Sequence, residues 1–284
     1  MRSIAITGAS GFIGGALARR CEELGTEVLA LSRRPASVGR WIKWEIGNPL
    51  PLECSDVDAV VHLASASLVA REKMDEAVAL DIHGASVLAR STQAAGNGRP
   101  PRFVFLSSQS ASAGAKNAYG KSKFIIEGAL DAANTAVIRP GLVYDDAGSS
   151  VFGMFEKLAR LPAVPVVSRR QNIQPIHVEE LVDCITKVVE AQDPRRLYCL
   201  GAVQPMTFSD AIKATAMRSG RSAPIGIPVP LAPIQAVAWC VDKLLRPTPT
   251  IGERLDGLVA LQPMETAGSL AALGVELKAF QIKS

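Results

Sequence analysis

Three glycines constrain this chain more than any other feature. Gly8, Gly11 and Gly14 stand at GxxGxxG spacing in Thr7-Gly8-Ala9-Ser10-Gly11-Phe12-Ile13-Gly14, directly after the β-branched run Ser3-Ile4-Ala5-Ile6 and at the start of a stretch, Gly14 to Leu24, with helical spacing. In a strand-to-helix junction the first glycine permits a tight turn, the second lets the backbone approach a pyrophosphate, and the third lets the helix pack on the strand. The phosphates then meet free N–H groups at a helix N-terminus. The loop therefore predicts a dinucleotide site built by Gly8, Gly11, Phe12, Ile13 and Gly14.

Beyond the loop, apolar runs recur at Val28–Leu31, Val57–Leu63, Arg102–Leu106 and Thr135–Ile138, with helical patterns at Asp75–Ala95 and Ala118–Ala132 between them. Continuous apolar runs, as opposed to alternating ones, suit strands buried on both faces of a parallel sheet. Strands alternating with long helical patterns require right-handed crossovers. The predicted fold is α/β, a Rossmann-type doubly wound parallel sheet. From Gly148 to Arg170 and from Gln204 onward prolines accumulate and periodicity weakens. The expected division is a dinucleotide-binding domain of residues 1–147 and 171–203, and a small discontinuous C-terminal substrate lobe of residues 148–170 and 204–284.

About twenty residues beyond the glycine loop, an NAD site carries an acidic residue for the ribose 2′-hydroxyl. Here Ser32 is followed by Arg33 and Arg34. Two guanidinium groups beside a small hydroxyl favour a 2′-phosphate through charge-assisted contacts. NADP is the expected cofactor, with NAD as the alternative.

The charge balance, 31 basic against 27 acidic residues with only 5% aromatics, gives no basic surface interleaved with stacking rings, which disfavours a nucleic-acid partner. Cys21, Cys54, Cys184, Cys199 and Cys240 are odd in number and form no CxxC pair. That argues against a disulfide framework and a metal site, and favours a reducing, cytoplasmic setting. No signal-peptide pattern opens the sequence. The most apolar stretch, Ile225 to Leu245, is interrupted by Pro228, Pro230, Pro233, Asp242 and Lys243, so no transmembrane segment is expected. Peripheral membrane contact stays open because Trp239 and Leu244 sit in that stretch. Within it, Ile234, Val237, Val241 and Leu244 recur at helical steps, predicting a helix over Ile234–Leu245 whose apolar face walls a pocket, with Pro228 to Pro233 braking the chain ahead of it.

Tyr119 and Lys123 stand four apart in a helical stretch and share one face. A nearby ammonium is expected to lower the tyrosine pKa from its ordinary value of about 10 and make Tyr119 a usable acid or base. The strand before them ends in Ser107-Ser108, and hydroxyls at the carboxyl end of a parallel strand face the ligand crevice.

Taken together, the TGASGFIG loop, the HLAS segment at His62–Ser65, the FLSS strand end, the AYGKSK helix, RPGLVY at Arg139–Tyr144 and PIHVEEL at Pro175–Leu181 resemble the extended short-chain dehydrogenase/reductases, the NAD-dependent epimerase/dehydratase family. The resemblance covers roughly residues 1 to 200. It implies that Ser108 orients a substrate oxygen, with Ser107 and Ser110 as alternatives, that Tyr119 is the acid/base, and that Lys123 binds ribose and tunes Tyr119. It also places Glu45 and Ile46 against adenine, Leu63 and Ala64 along the cofactor ribose, and Pro140 near the nicotinamide. His62 and His177 are expected to be structural. The implied activity is hydride transfer between nicotinamide and a small carbonyl or carbinol substrate, in a monomer or homodimer.

Departures from the pattern bear on the substrate. Only eleven positions separate Ser108 from Tyr119, Asp81 stands where asparagine is common, and Ile173 occupies a position where sugar-nucleotide epimerases tend to carry arginine. Arg169 and Arg170 are the nearby replacements. The stretch Leu158 to Leu181 is also similar to the dehydrogenase-like accessory subunit of respiratory complex I, which defines an alternative class, a nucleotide-binding assembly protein; an NADP-sensing regulator is a third.

Overall fold

The computed structural model describes residues 1–66, 73–96, 99–130, 134–146, 152–167, 172–245, 251–278 and 280. In chain order the elements are β1 (Ser3–Thr7), α1 (Phe12–Glu23), β2 (Glu27–Ser32), β3 (Arg40–Lys43), β4 (Ala59–His62), α2 (Met74–Ala94), β5 (Arg102–Leu106), α3 (Ala118–Ala129), β6 (Thr135–Pro140), β7 (Leu142–Tyr144) and α4 (Phe152–Ala159). They continue with β8 (Ala163–Val167), β9 (Pro175–His177), α5 (Val178–Glu190), β10 (Leu197–Leu200), α6 (Phe208–Arg218), β11 (Ile225–Val229), α7 (Leu231–Leu245), α8 (Ile251–Val259) and α9 (Ala267–Leu273).

A seven-stranded sheet runs in the order β3-β2-β1-β4-β5-β6-β10. Every pairing in it is parallel. Because successive strand side chains point to opposite faces, Ile4 and Ile6 join one core with Leu17 of α1 and Leu181 and Ile185 of α5, while Ala5 joins the other with Leu88 of α2 and Ile126 of α3. Both faces are covered, which is why these strands read as unbroken apolar runs. The fold is the expected Rossmann-type α/β sheet. Strand order reverses between β1 and β4, and sheets of this kind bind ligands at the carboxyl ends beside such a switch point.

A third core gathers Tyr144, Phe155, Val164, Phe208, Ile212 and Leu261, near the two-stranded sheets β8-β11 and β7-β9. Ile173 is fully buried in it and exchanges both backbone hydrogen bonds with Met206. The position therefore serves packing, and Arg169 and Arg170 lie outside the described residues.

The expectation for the C-terminal helix needs correction. α7 starts at Leu231, ahead of the expected Ile234, with Pro233 in its first turn, where a missing N–H breaks no helical hydrogen bond. Pro228 lies within β11. Of the four residues expected to form a pocket wall, Val237 and Leu244 point outward, at 64% and 80% exposure, while Ala238 is buried. Ile234 and Val241, on the same face as Ala238, are half-buried, so only two of the four meet the rest of the protein, and those in part. Among the described residues no helix is long and apolar enough to cross a membrane.

Candidate active site

The glycine loop is shaped by its own backbone. Gly8 adopts φ +71°, a left-handed conformation that favours glycine, and its N–H donates to the Leu31 carbonyl at 2.8 Å. A methyl group on Gly14 would overlap the Gly8 carbonyl, so α1 reaches β1 only because that position has no side chain. Gly11 precedes α1 with no side-chain cap, and the first helical turn carries no acidic residue. The positive end of α1 is thereby left to an anion, at a groove of about 680 Å³ lined by Ser10, Gly11, Phe12 and Gly15. An open helix end with a cradle that any Cβ would fill suits a dinucleotide pyrophosphate.

Beneath the loop, Thr7 ties β1 to β4. Its hydroxyl accepts from the N–H groups of Leu63 and Ala64 at 3.1 and 3.2 Å, so its proton goes to Nδ1 of His62 at 2.7 Å. Leu63 and Ala64 are held with their backbone against Gly8. His62 is buried among Trp44, Phe103 and Phe105, and burial pushes its pKa down to about 3. It is a neutral structural residue, as expected of it.

At the end of β2, the buried Ser32 hydroxyl donates to the Arg34 carbonyl at 2.6 Å, and its carbonyl accepts from the Trp41 indole at 3.1 Å. Ser32 thus shapes the turn that leaves Arg33 and Arg34 exposed. Glu45 is exposed and Ile46 half-buried just after β3, beside the buried Trp44.

Beyond β5, the two serines face opposite ways. Ser107 donates to Glu127, which also binds the Arg139 guanidinium, with Nε at 2.8 Å. Ser108 instead hydrogen-bonds with Tyr119 and lies 3.0 Å from the Ser110 hydroxyl. Asn117 caps α3 by accepting from the Gly120 N–H at 3.0 Å, which fixes the helix start just before Tyr119. Lys123, one turn on, is buried with its ammonium donating to the Leu106 carbonyl at 3.0 Å. The ammonium stands 4.6 Å from the Phe105 ring centre and 5.6 Å from that of Tyr119. Pro140 is buried at the end of β6, and its carbonyl accepts from the Gln109 N–H. Ser108, Tyr119 and Lys123 are together; Ser107 is engaged elsewhere.

The expected pKa of Tyr119 is corrected in sign. Burial, and secondly the Asp81 carboxylate, push the phenol up to about 12 against the Ser108 hydrogen bond. Burial in turn pushes Lys123 down to about 8, opposed by the charges of Asp81 and Glu127. Desolvation and the Asp81 charge together outweigh the Ser108 hydrogen bond. Tyr119 is a neutral O–H at pH 7, able to give a proton.

The family model described as "NAD dependent epimerase/dehydratase family" matches residues 4–201, which hold the loop, the serine, the tyrosine and the lysine. The chain belongs to this family. A curated relative, "Ceramide reductase" of Caulobacter vibrioides, is 30% identical over 210 residues, covering 68% of this chain and 65% of the relative's length. Among solved structures, the human epimerase family protein SDR39U1 with NADPH superposes with a TM-score of 0.74 at 22% identity, covering 99% of this chain and 96% of that one. MoeE5 in complex with UDP-glucose and NAD gives 0.69 at 20% identity, covering 98% and 94%.

Within this epimerase/dehydratase-family chain, several residues around the site take roles that the sequence alone did not reveal. Asp81 is buried in α2 and accepts from the Ser65 hydroxyl at 2.8 Å and the Ala66 N–H at 2.6 Å, anchoring the segment after β4. Gln109 donates to the carbonyls of Asn172 and Gln262, and Gln174 binds the backbone of Ala202 and Met264. These two buried glutamines hold the C-terminal segment onto the sheet ends. His177 caps α5 through Nδ1, the role of a structural residue.

Proposed function

We propose that this chain is an NADP-preferring reductase that converts a carbonyl group of a partly apolar, lipid-like substrate into a carbinol. The observation that carries the reading is the neutral Tyr119 hydroxyl held by Ser108 with the Lys123 ammonium beside it. The cofactor, when bound, supplies the hydride. The Ser108 hydroxyl holds the substrate oxygen, Tyr119 gives that oxygen its proton, and Lys123 offsets the charge left on the phenol and reaches the cofactor ribose. Glycine-loop N–H groups of Phe12 and Ile13 take the pyrophosphate, Leu63 and Ala64 line the ribose, Glu45 and Ile46 flank the adenine, and Pro140 supports the nicotinamide. The lobe of residues 148–170 and 204–284 covers the substrate. A lipid-like substrate draws support from the name of the Caulobacter relative, and NADP from Arg33 and Arg34 and from the NADPH in the human structure.

Two outcomes follow for this reading. NADPH should bind more tightly than NADH, and Arg33→Ala should remove about tenfold of that preference, as loss of one charge-assisted phosphate contact does; fluorescence titration of both cofactors measures it, and equal affinities in the wild type would contradict it. Reduction should also depend on pH through Lys123. Its ammonium is present below its pKa of about 8 and lost above it, so kcat/KM for reduction should fall above pH 8. A profile flat from pH 7 to well above 9 would remove Lys123 from the mechanism.

A second reading, a nucleotide-binding accessory protein, draws on the outward-facing Val237, Trp239 and Leu244 of α7. Screening aldehydes, ketones and long-chain carbonyl compounds for NADPH oxidation separates the two. Turnover lost in Tyr119→Phe is the enzyme's result.

A further inference from the structure

We propose that Arg19, on α1, is a specificity-determining residue that binds the 2′-phosphate of NADP, an inference that rests on the NADP reading above. Side chains on a helix lean toward its N-terminus, and the Arg19 guanidinium does so here, with Nη1 lying 3.8 Å from where a Cβ on Gly15 would stand. It therefore lies back along α1 toward the glycine loop. The same groove that opens at that loop is lined by Arg19 together with Pro35 and Ser37, which follow directly on Arg33 and Arg34. An arginine two turns into the helix and the stretch just after Arg33 and Arg34 thus border one groove.

Arg19 is exposed, and among the described residues it forms no ion pair. Its neighbour Arg20, by contrast, is committed to Asp183 at 2.6 Å and Glu23 at 3.4 Å. Of the acidic residues that line the groove, Asp146 and Glu179 stand 3.9 and 3.8 Å from His177, and neither forms an ion pair with Arg19. A doubly charged phosphate is repelled from that group and drawn to the side holding Arg19. Pyrophosphate is already served by the N–H groups of the first helical turn, whereas Arg19 borders the loop after β2, where the adenosine ribose carries its 2′ substituent. A guanidinium presents a planar fork of donors to such a phosphate.

The test is equilibrium binding of NADPH, NADH, 2′,5′-ADP and 5′-ADP to the full chain and to Arg19→Gln. At an exposed helix position the substitution leaves the fold intact, which an unchanged melting temperature checks. The expected result is about tenfold weaker binding of NADPH and 2′,5′-ADP, with NADH and 5′-ADP changed less than about twofold, and partial recovery in Arg19→Lys. Equal weakening of all four ligands would make Arg19 a pyrophosphate or helix residue and overturn the proposal; so would unchanged affinities. A wild-type protein that binds 5′-ADP as tightly as 2′,5′-ADP would overturn the NADP reading and this inference with it, whereas discrimination retained in Arg19→Gln overturns the inference alone.

Discussion

Tyr119→Phe should lower kcat for carbonyl reduction by about 10²- to 10⁴-fold, the range of a lost general acid. NADPH affinity should stay within about a factor of two, because the substitution keeps the ring and removes only the proton it gives. The effect follows from the environment of the phenol. With its pKa pushed up to about 12, Tyr119 keeps its proton at neutral pH, and the hydrogen bond from Ser108 fixes the position of its oxygen. In the proposed mechanism, once the proton has gone, the ammonium of Lys123, which donates to the Leu106 carbonyl, would stabilise the phenolate. Kinetics and cofactor titration on the same preparation check this. Equal losses in kcat and in cofactor affinity would instead mean that Tyr119 serves binding.

Gly14→Ala should cost about 2–3 kcal/mol of stability, as overpacking against atoms that cannot move aside does, and should abolish detectable dinucleotide binding. The added methyl would overlap the Gly8 carbonyl, a backbone atom fixed by the turn at Gly8 and by that residue's N–H to Leu31. Relief requires α1 to move away from β1, and that movement withdraws the N–H groups of Phe12 and Ile13 from the phosphates. In a chain of this size the melting temperature should drop by roughly 4–12 °C. Gly15→Ala is the control: the added methyl meets its nearest neighbour at 3.6 Å, an ordinary contact, so stability should change little. If Gly14→Ala bound NADPH like the wild type, the loop would not be the phosphate site.

How much was legible beforehand follows from the kind of signal each feature leaves. Strands β1, β2, β4, β5 and β6 are covered on both faces and so appear as apolar runs, and the glycine loop announces itself because Gly14 has no room for a side chain and Gly8 stands in a left-handed conformation. β3, with Arg40, Trp41 and Lys43 exposed at the sheet edge, leaves no such run. β7, β8, β9 and β11 are short and partly exposed, three of them containing proline, so neither period 2 nor an apolar run marks them. Side-chain identity located Ser108, Tyr119 and Lys123, but charge state depends on burial and on Asp81, 38 positions upstream of Tyr119. The predicted sign for the tyrosine was wrong for that reason. Gln109 and Gln174 are invisible for a related cause, since their role depends on backbone groups of Gln262 and Met264, which sequence does not place near them. The face of α7 failed differently: its apolar spacing is real, but spacing does not say which side meets a partner.

The most direct measurement is a crystal structure of the chain with NADPH bound. The account predicts the pyrophosphate across the N–H groups of Phe12 and Ile13, the 2′-phosphate against Arg33 and Arg34, and C4 of the nicotinamide facing the space between Ser108 and Tyr119, with Lys123 at the ribose. A dinucleotide seated in the glycine loop with its nicotinamide turned away from Tyr119, or excluded from the crevice by the residues after β6, would contradict it.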